Sequence, residues 1–394
     1  MTACGYWCYP SIALASWLIA YAALRRRSER LKSMGVELGP LYLVLSSRGL
    51  GDALQRVLEG RRRASALASA SPALALALMA GALYFLSSNL ASYFASPSRF
   101  AAVVPLVPFV TLRSAQLIEA FLLAVPAVII PHELSHALAA ASKGIRVKGG
   151  GLIVVAFLLG AFVELDEESL KGADWRRRAA VAAAGPSANA VIAGLVLALL
   201  LTQPTTYLYL PQPLAAAFYR PAPGVMVAGV VPGSPAARAG IAPGDILVSI
   251  NGTPLGGVQD LGRYGLHPGE LLVLGVERGG SLEEVAVRAA NESGRAMIGI
   301  YAANAMRPIL GLPYLGAAVD YYLLWLFVLS LSVALFNMLP LAPFDGALFV
   351  DSLLSAALEE GARRPILLAL YAISAALLAL NVALSLARYG LPPA

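Results

Sequence analysis

The sequence predicts a multi-pass α-helical membrane protein with about six transmembrane helices, a re-entrant β-loop and an inserted extracytoplasmic α+β domain. Composition is the first observation: of 394 residues, 58% are hydrophobic and only 13% are charged, and the mean hydropathy is +0.71. Soluble domains carry about 25% charged residues. The other two observations are a set of long apolar runs and the placement of basic residues at their ends.

Six apolar runs are long enough to cross about 30 Å of hydrocarbon. They comprise residues 7–24, 64–88, 114–139, 179–201, 321–339 and 365–386. A large soluble protein with six such runs would have too little polar surface, so we interpret the runs as membrane spans. The first run has no basic segment before it and is followed by arginines, which favours a membrane anchor over a signal peptide.

Basic residues cluster at the ends of these runs and predict how the chain is oriented. The clusters are residues 25–27, 61–63 and 176–178, Lys143 with Lys148, and Arg363 with Arg364. Cytoplasmic loops are enriched in Lys and Arg, so we expect these loops in the cytoplasm and both termini and residues 202–320 outside. This asymmetry accounts for the net charge of +6 and gives no reason to expect a nucleic-acid partner.

The cytoplasmic loop 143–178 contains the predicted β-loop. Three glycines at 149–151 open an apolar stretch that ends at Val163, which is too short to span a membrane. Its Gly, Val, Ile and Phe content favours strands. Irregular backbone at membrane depth must pack against protein or line a wet cavity, so this loop should lie against the helices. Another strand-like run, 41–46, has no evident role.

The third run contains the motif His132-Glu133-Leu134-Ser135-His136. Histidines four residues apart project from one face of a helix, and this spacing allows both imidazoles to bind one Zn²⁺. Glu133 would then be the general acid/base that activates water and protonates the leaving amine. Ionisable groups inside a span are costly and usually functional, so the motif predicts a catalytic zinc site.

Catalytic zinc needs a third protein ligand, and the end of the fifth run offers one. Pro340 and Pro343 interrupt the helix and Gly346 permits a tight turn, so Asp345 is expected at the same depth as the histidines. Asp351 follows about a turn and a half later, on a resumed helix. A Pro–Asp–Gly pattern would also suit a turn that simply caps a helix.

Other potential ligands are less suitable. His267 falls in the outer segment, on the opposite side of the membrane from the predicted site. Cys4 and Cys8 lie near the start of the first run, without the partner cluster that a zinc site of cysteines and histidines requires.

The sequence resembles the site-2 proteases, a family of intramembrane zinc proteases. The two signatures of that family are matched by His132, Glu133 and His136 and by Asn337, Pro340, Asp345 and Gly346. Residues 184–189 resemble the small-residue segment of the second core helix in the family, and the glycine-opened loop resembles its membrane-associated β-loop, whose edge pairs with unwound substrate.

The resemblance implies roles for individual residues. His132, His136 and Asp345 would bind Zn²⁺, and Glu133 would be the general acid/base. Asn337 and Asn189 would hold substrate backbone or the developing oxyanion. Asn189 would equally suit a polar contact between the small-residue faces of two helices.

The outer segment resembles a PDZ domain of the bacterial protease type. Its core, about 221–301, contains a Gly-Ser-Pro segment, a Gly-Asp turn and an Asn251-Gly252 hairpin signal. A carboxylate-binding loop is expected near residues 224–227, although these depart from the usual form of that loop. The domain would either contact peptide ends or exclude substrates with bulky ectodomains.

These assignments predict four regions. They are an N-terminal two-span region with a cytoplasmic loop (1–113), the first part of the catalytic membrane core (114–201), the extracytoplasmic segment (202–320), and the second part of the core with the last span (321–394).

The predicted function is zinc-dependent endopeptidase cleavage of transmembrane substrate proteins at the cytoplasmic side of the cell membrane. A metal transporter would use buried ionisable residues in two repeated halves, and no such repeat is evident. An inactive substrate-recruiting scaffold would have lost the Glu or a His, and both are present.

Overall fold

The computed structural model describes residues 8–58, 62–108, 110–112, 115–155, 158–292 and 295–390. The chain divides into two compact units. The first combines Met1–Ala193 with Trp325–Ala394, and the second is the continuous segment Gly194–Leu324. The first unit is therefore discontinuous in sequence, and the second is an insertion between its two parts.

Helices account for most of the first unit. The α-helices of the chain are α1 (Cys8–Leu24), α2 (Ser28–Ser33), α3 (Arg48–Leu58), α4 (Arg62–Ala95), α5 (Ala115–Ser142), α6 (Glu167–Gly172), α7 (Trp175–Leu200), α8 (Gln212–Phe218), α9 (Pro235–Arg238), α10 (Val258–Tyr264), α11 (Ala317–Asn337), α12 (Asp345–Leu354) and α13 (Glu360–Tyr389).

Five helices are long and apolar enough to cross a membrane within the described parts of the chain. The spans are Ala68–Ala95, Leu117–Ser142, Trp175–Leu200, Ala317–Asn337 and Glu360–Tyr389. They correspond to five of the six runs expected from the sequence. Helix α1 covers the other run with 17 described residues, a length at the lower limit for a span, so a sixth span stays a prediction.

Small residues allow the spanning helices to pack closely. Ala182 and Ala183 of α7 are almost fully buried in a cluster with Ala334 of α11 and Ala75 of α4. Phe349 of α12 fills the same cluster. Helices in membranes associate through close packing of small side chains, so this cluster fixes α7 against α4, α11 and α12.

A four-stranded antiparallel sheet completes the first unit. Its strands are β1 (Val36–Leu38), β2 (Tyr42–Ser47), β3 (Val147–Val155) and β4 (Leu158–Leu165), in the order β1-β2-β3-β4. The strand-like run at 41–46 therefore has a definite role, because β2 pairs with β3 from Tyr42↔Val155 to Ser47↔Gly150. Strand β4 packs against α5, as expected for a loop that lies against the helices.

Contacts connect four basic segments of the chain in two pairs. The β2–β3 pairing joins the segment after α1 to the segment after α5. Asp351 joins two more, because its carboxylate lies 3.0 Å from Nε of Arg363 and 3.9 Å from Nη1 of Arg178. The two members of each pair therefore lie together, and a shared cytoplasmic position for all four stays a prediction from the charge pattern.

The second unit contains an antiparallel sheet around its own apolar core. Its strands are β5 (Tyr219–Val230), β6 (Ile246–Ile250), β7 (Thr253–Pro254), β8 (Leu271–Arg278), β9 (Ser281–Arg288), β10 (Ala290–Glu292), β11 (Arg295–Met297) and β12 (Ile300–Pro308). The six-stranded sheet has the order β12-β5-β6-β8-β9, with β7 paired to β6, while β10 and β11 form a separate hairpin. The six-stranded sheet runs from Tyr219 to Pro308.

The structure contradicts the expected position of a carboxylate-binding loop. Val225 and Met226 lie in β5, are fully buried, and pair with β12 on one side and β6 on the other. Since both neighbouring strands pair at Val225 and Met226, these two residues offer no free backbone groups to a peptide. The expectation at residues 224–227 was wrong because an apolar segment after a glycine can equally be a central strand.

Candidate metal centre

The two histidines of the motif lie on one face of α5. His132 and His136 are 3% and 8% exposed, and their Nε2 atoms are 3.2 Å apart. Both lie within the span Leu117–Ser142, and His136 is about 9 Å from the end of that span at 1.5 Å per residue. The site is therefore embedded in the helix bundle, near the end of α5 that leads into Lys143 and Lys148.

Asp345 reaches the histidines because the chain breaks between two helices. Helix α11 ends at Asn337 and α12 begins at Asp345 itself. The break brings the start of α12 so close to the end of α11 that a Cβ on Gly346 would collide with the carbonyl oxygens of Met338 and Leu339. Gly346 is therefore required for close backbone approach, and its absent side chain allows Asp345 to face α5.

The three side chains fit a zinc ion. The Oδ2 atom of Asp345 lies 3.1 Å from Nε2 of His132 and 3.4 Å from Nε2 of His136. With the 3.2 Å between the histidines, these atoms form a nearly regular triangle. Tetrahedral zinc with bonds of about 2.0–2.1 Å separates its ligand atoms by about 3.3 Å, so His132, His136 and Asp345 match a metal-binding group.

Glu133 lies beside this triangle. Its half-buried carboxylate is within electrostatic range of both histidines and Asp345, and it faces the backbone of Val163 in β4. The general acid/base candidate is thus positioned between the metal ligands and the β-loop.

The two candidate asparagines contact opposite sides of the same histidine. The amide nitrogen of Asn337 is 3.4 Å from Nε2 of His132, the nitrogen that faces the triangle. The amide nitrogen of Asn189 is 3.0 Å from Nδ1 of His132, and its side chain is fully buried. Asn337 therefore lies beside the three ligand atoms, and Asn189 lies behind the imidazole.

Helix α7 supports the histidines at two further positions. Nδ1 of His136 lies 2.7 Å from the carbonyl oxygen of Val181. A Cβ on Gly185 would collide with the Nε2 atoms of both histidines. The sequence motifs do not predict either role, although the small residues in the segment 184–189 are a signal that another group approaches α7 closely.

Helices α5 and α11 also line an apolar cavity of about 400 Å³. It is bounded by α5, β4 and α11, with Ile129, Gly160 and Val333 among its lining residues. Ile129 is one helical turn before Glu133, and Val333 is one turn before Asn337. The cavity therefore lies between the β-loop and the helices, about one helical turn from Glu133 along α5 and from Asn337 along α11.

The sequence profile of Peptidase family M50 matches residues 120–381, a region that contains all the groups described above. The chain belongs to this family. Zn²⁺ is the metal that this family implies, and the group formed by His132, His136 and Asp345 fits it.

Individual relatives give partial matches. A protein of Methanocaldococcus jannaschii described as uncharacterised is 29% identical over 55% of this chain and 52% of its own length. A protein of Agrobacterium fabrum and another of Rhizobium meliloti are each named "Putative zinc metalloprotease". They are 37% and 28% identical, over 29% and 42% of this chain and 26% and 51% of their own lengths. The chain thus matches about half or less of each relative.

Two solved structures resemble a smaller part of the chain. The PDZ domain of an SdrC-like protein from Listeria innocua is 26% identical, covers 20% of this chain and 92% of its own, and has a TM-score of 0.19. The corresponding domain from Listeria monocytogenes is 24% identical, with coverages of 21% and 88% and a TM-score of 0.20.

Proposed function

We propose that this protein is an intramembrane zinc-dependent endopeptidase that hydrolyses peptide bonds of transmembrane substrate proteins. The observation that carries the proposal is the convergence of His132, His136 and Asp345 within 3.4 Å of one another in a membrane helix bundle, with Glu133 beside them. Buried ionisable residues in a membrane protein are costly and mark functional sites.

Each residue of the site has a distinct role in the proposed hydrolysis. Zinc, when bound, supplies a Lewis acid that polarises the scissile carbonyl and makes water more acidic. Glu133 takes the proton from the attacking water and delivers it to the leaving amine. Asn337, beside the ligand atoms, donates a hydrogen bond from its amide to the oxygen of the scissile carbonyl as negative charge develops there.

The substrate would bind as an extended strand. A transmembrane helix hides its carbonyls in its own hydrogen bonds, so it must unwind before it is cleaved. Among the described residues, no strand pairs with the outer edge of β4, and Val163 of that strand faces Glu133. An unwound substrate that pairs with this edge would recover the hydrogen bonds it loses, and an apolar side chain of the substrate would enter the cavity beside Val333.

The site would act at the cytoplasmic side of the cell membrane, because it lies at the end of α5 nearest the basic segments. The inserted domain would then be extracytoplasmic. A filter for substrate ectodomains or a contact with substrate peptides would both suit that position.

Glu133→Gln tests the proposal. The purified variant is compared with wild type for zinc content and for cleavage of a single-span substrate in detergent, with and without a zinc chelator. The amide cannot accept the proton, so we expect zinc to be retained and the rate to fall by about 10²–10⁴ or more. Turnover equal to that of wild type, or cleavage that persists after complete zinc removal, would refute the assignment.

A further inference from the structure

We infer that Asn189 is a positioning residue that accepts a hydrogen bond from Nδ1 of His132 and so prepares Nε2 of that histidine to bind the metal. The inference deepens the proposed function and rests on zinc being the metal of the site. It replaces the substrate or oxyanion role that the sequence suggested for Asn189.

The position of Asn189 argues against contact with substrate. Its side chain is 0% exposed, and it meets His132 at Nδ1, on the side of the imidazole away from Asp345 and His136. Asn337 lies near Nε2 of the same ring. An oxyanion that forms beside the metal ligands would therefore reach Asn337 and would be separated from Asn189 by the imidazole.

The hydrogen bonding of the Asn189 amide identifies its role. The Oδ1 atom is buried and has no hydrogen-bond partner among the described residues, while Nδ2 faces Nδ1 of His132. A histidine that binds metal through Nε2 carries its proton on Nδ1. In that tautomer two donors would face each other, Nδ2 of Asn189 and Nδ1 of His132. The two ends of an amide are assigned from their hydrogen-bond partners, and rotating this amide by 180° would pair Oδ1 with the Nδ1 proton.

His136 shows the same arrangement with a group that can only accept. Its Nδ1 lies 2.7 Å from the carbonyl oxygen of Val181, so Nδ1 must carry the proton, and Nε2 is free to bind metal. Val181, Gly185 and Asn189 are spaced four residues apart on α7 and therefore lie along one face of the helix. At the two ends of this face, Val181 and Asn189 contact the Nδ1 atoms of His136 and His132. Between them, Gly185 has no side chain that would collide with the imidazoles.

Substitutions of Asn189 that retain or remove the acceptor test the inference. Asn189→Asp keeps an acceptor at the same place, whereas Asn189→Leu removes it and keeps a side chain of the same length and branching. The zinc dissociation constant of each variant is measured by competition with a chelator, and the absorption spectrum of the Co²⁺-substituted protein reports the ligand geometry. Asn337→Leu is the contrasting variant, since it lacks a group that we place beside the substrate.

We expect Asn189→Leu to weaken zinc binding by about 10–100-fold, the usual cost of losing a partner of a metal-bound histidine, and to alter the Co²⁺ spectrum. Asn189→Asp should retain zinc affinity, the spectrum and cleavage within a few-fold, while Asn337→Leu should retain zinc and lose cleavage. If Asn189→Leu does not fold, Asn189→Asp alone decides. Zinc retained but cleavage lost in Asn189→Asp would indicate that the amide donates to substrate, and loss of zinc from that variant would also refute the acceptor role.

This experiment separates the inference from the proposed function. Failure of the inference leaves an active zinc enzyme in which Asn189 has another role. Failure of the proposed function would instead appear as unchanged turnover in Glu133→Gln, whatever the zinc affinity of the Asn189 variants.

Discussion

The Nε2 atom of His132 and the Oδ2 atom of Asp345 lie 3.1 Å apart although 213 residues separate them in sequence. The whole inserted domain, within Gly194–Leu324, lies between them along the chain. Helices from the two ends of the discontinuous unit must therefore pack together before the metal centre exists. The shared core of α7, α11 and α12 fixes this packing, so the centre reports directly on correct assembly of the membrane unit.

Asp345→Ala should lose most of its bound zinc and all activity. Two neutral imidazoles remain, but the carboxylate that offsets desolvation of the metal is gone. Asp351→Ala is the matched control on the same helix, because Asp351 pairs with Arg363 and Arg178 and not with the histidines. Its loss should cost stability and leave zinc content close to that of wild type. Zinc measured in the two purified variants decides: retention in Asp345→Ala with loss in Asp351→Ala would reverse the assignment.

Gly185→Ala should also abolish zinc binding, although it adds only one methyl group. The new Cβ would collide with Nε2 of both His132 and His136. Alanine is favoured over glycine within a helix by about 1 kcal/mol, so a loss of zinc could not be ascribed to a weaker helix. Gly194→Ala on the same helix is the control, since a Cβ there meets no atom within 4 Å. Equal zinc content in the two variants would show that α7 does not approach the histidines as described.

Val333→Phe should impair cleavage without affecting zinc. The phenyl ring would occupy the 400 Å³ cavity proposed for an apolar substrate side chain. For a substrate whose cavity-binding side chain is Leu or Phe, kcat/KM should fall about tenfold or more. Val328→Phe is the control, because Val328 is 38% exposed on the same helix and is not among the residues that line the cavity. A similar effect of both substitutions would point to a general disturbance of α11 and not to a side-chain pocket.

Much of the fold could be predicted because its signals are local in sequence. The five described spans follow from runs of apolar residues, and the β-loop follows from the glycines at 149–151 and the short apolar stretch after them. The pairing of β2 with β3 could not be predicted. It joins segments about a hundred residues apart, and the pattern of a single strand does not identify its partner.

Some features of the metal site could also be predicted from the sequence, and others could not. The spacing of His132 and His136 predicts that they share a helix face, and the break before Asp345 predicts that this residue departs from α11. The acceptor at Val181 was not predictable, because it is a backbone carbonyl and any residue would supply it. The different positions of Asn189 and Asn337 around His132 likewise depend on how α7 and α11 pack against α5, which neither motif specifies.

The orientation of the protein in the membrane gives the last prediction. Single cysteines at Ser281 and Glu168, in a background with Cys4 and Cys8 changed to serine, should be labelled from opposite sides of sealed vesicles by a reagent that does not cross the membrane. Ser281 is exposed at the start of β9 in the inserted domain, and Glu168 is exposed in α6.

Glu168 is chosen as the labelling site in α6 because its neighbour Ser169 has a structural contact. The hydroxyl of Ser169 accepts a hydrogen bond from the backbone of Arg146. Between the two labelled positions the chain passes once through α7, a span of 26 residues, and a single crossing must place them on opposite sides. The basic segments on the α6 side predict that Glu168→Cys is the cytoplasmic one. Labelling of both cysteines from one side would mean that α7 does not cross the membrane, and labelling from opposite sides in the reverse order would place the metal centre near the outer surface.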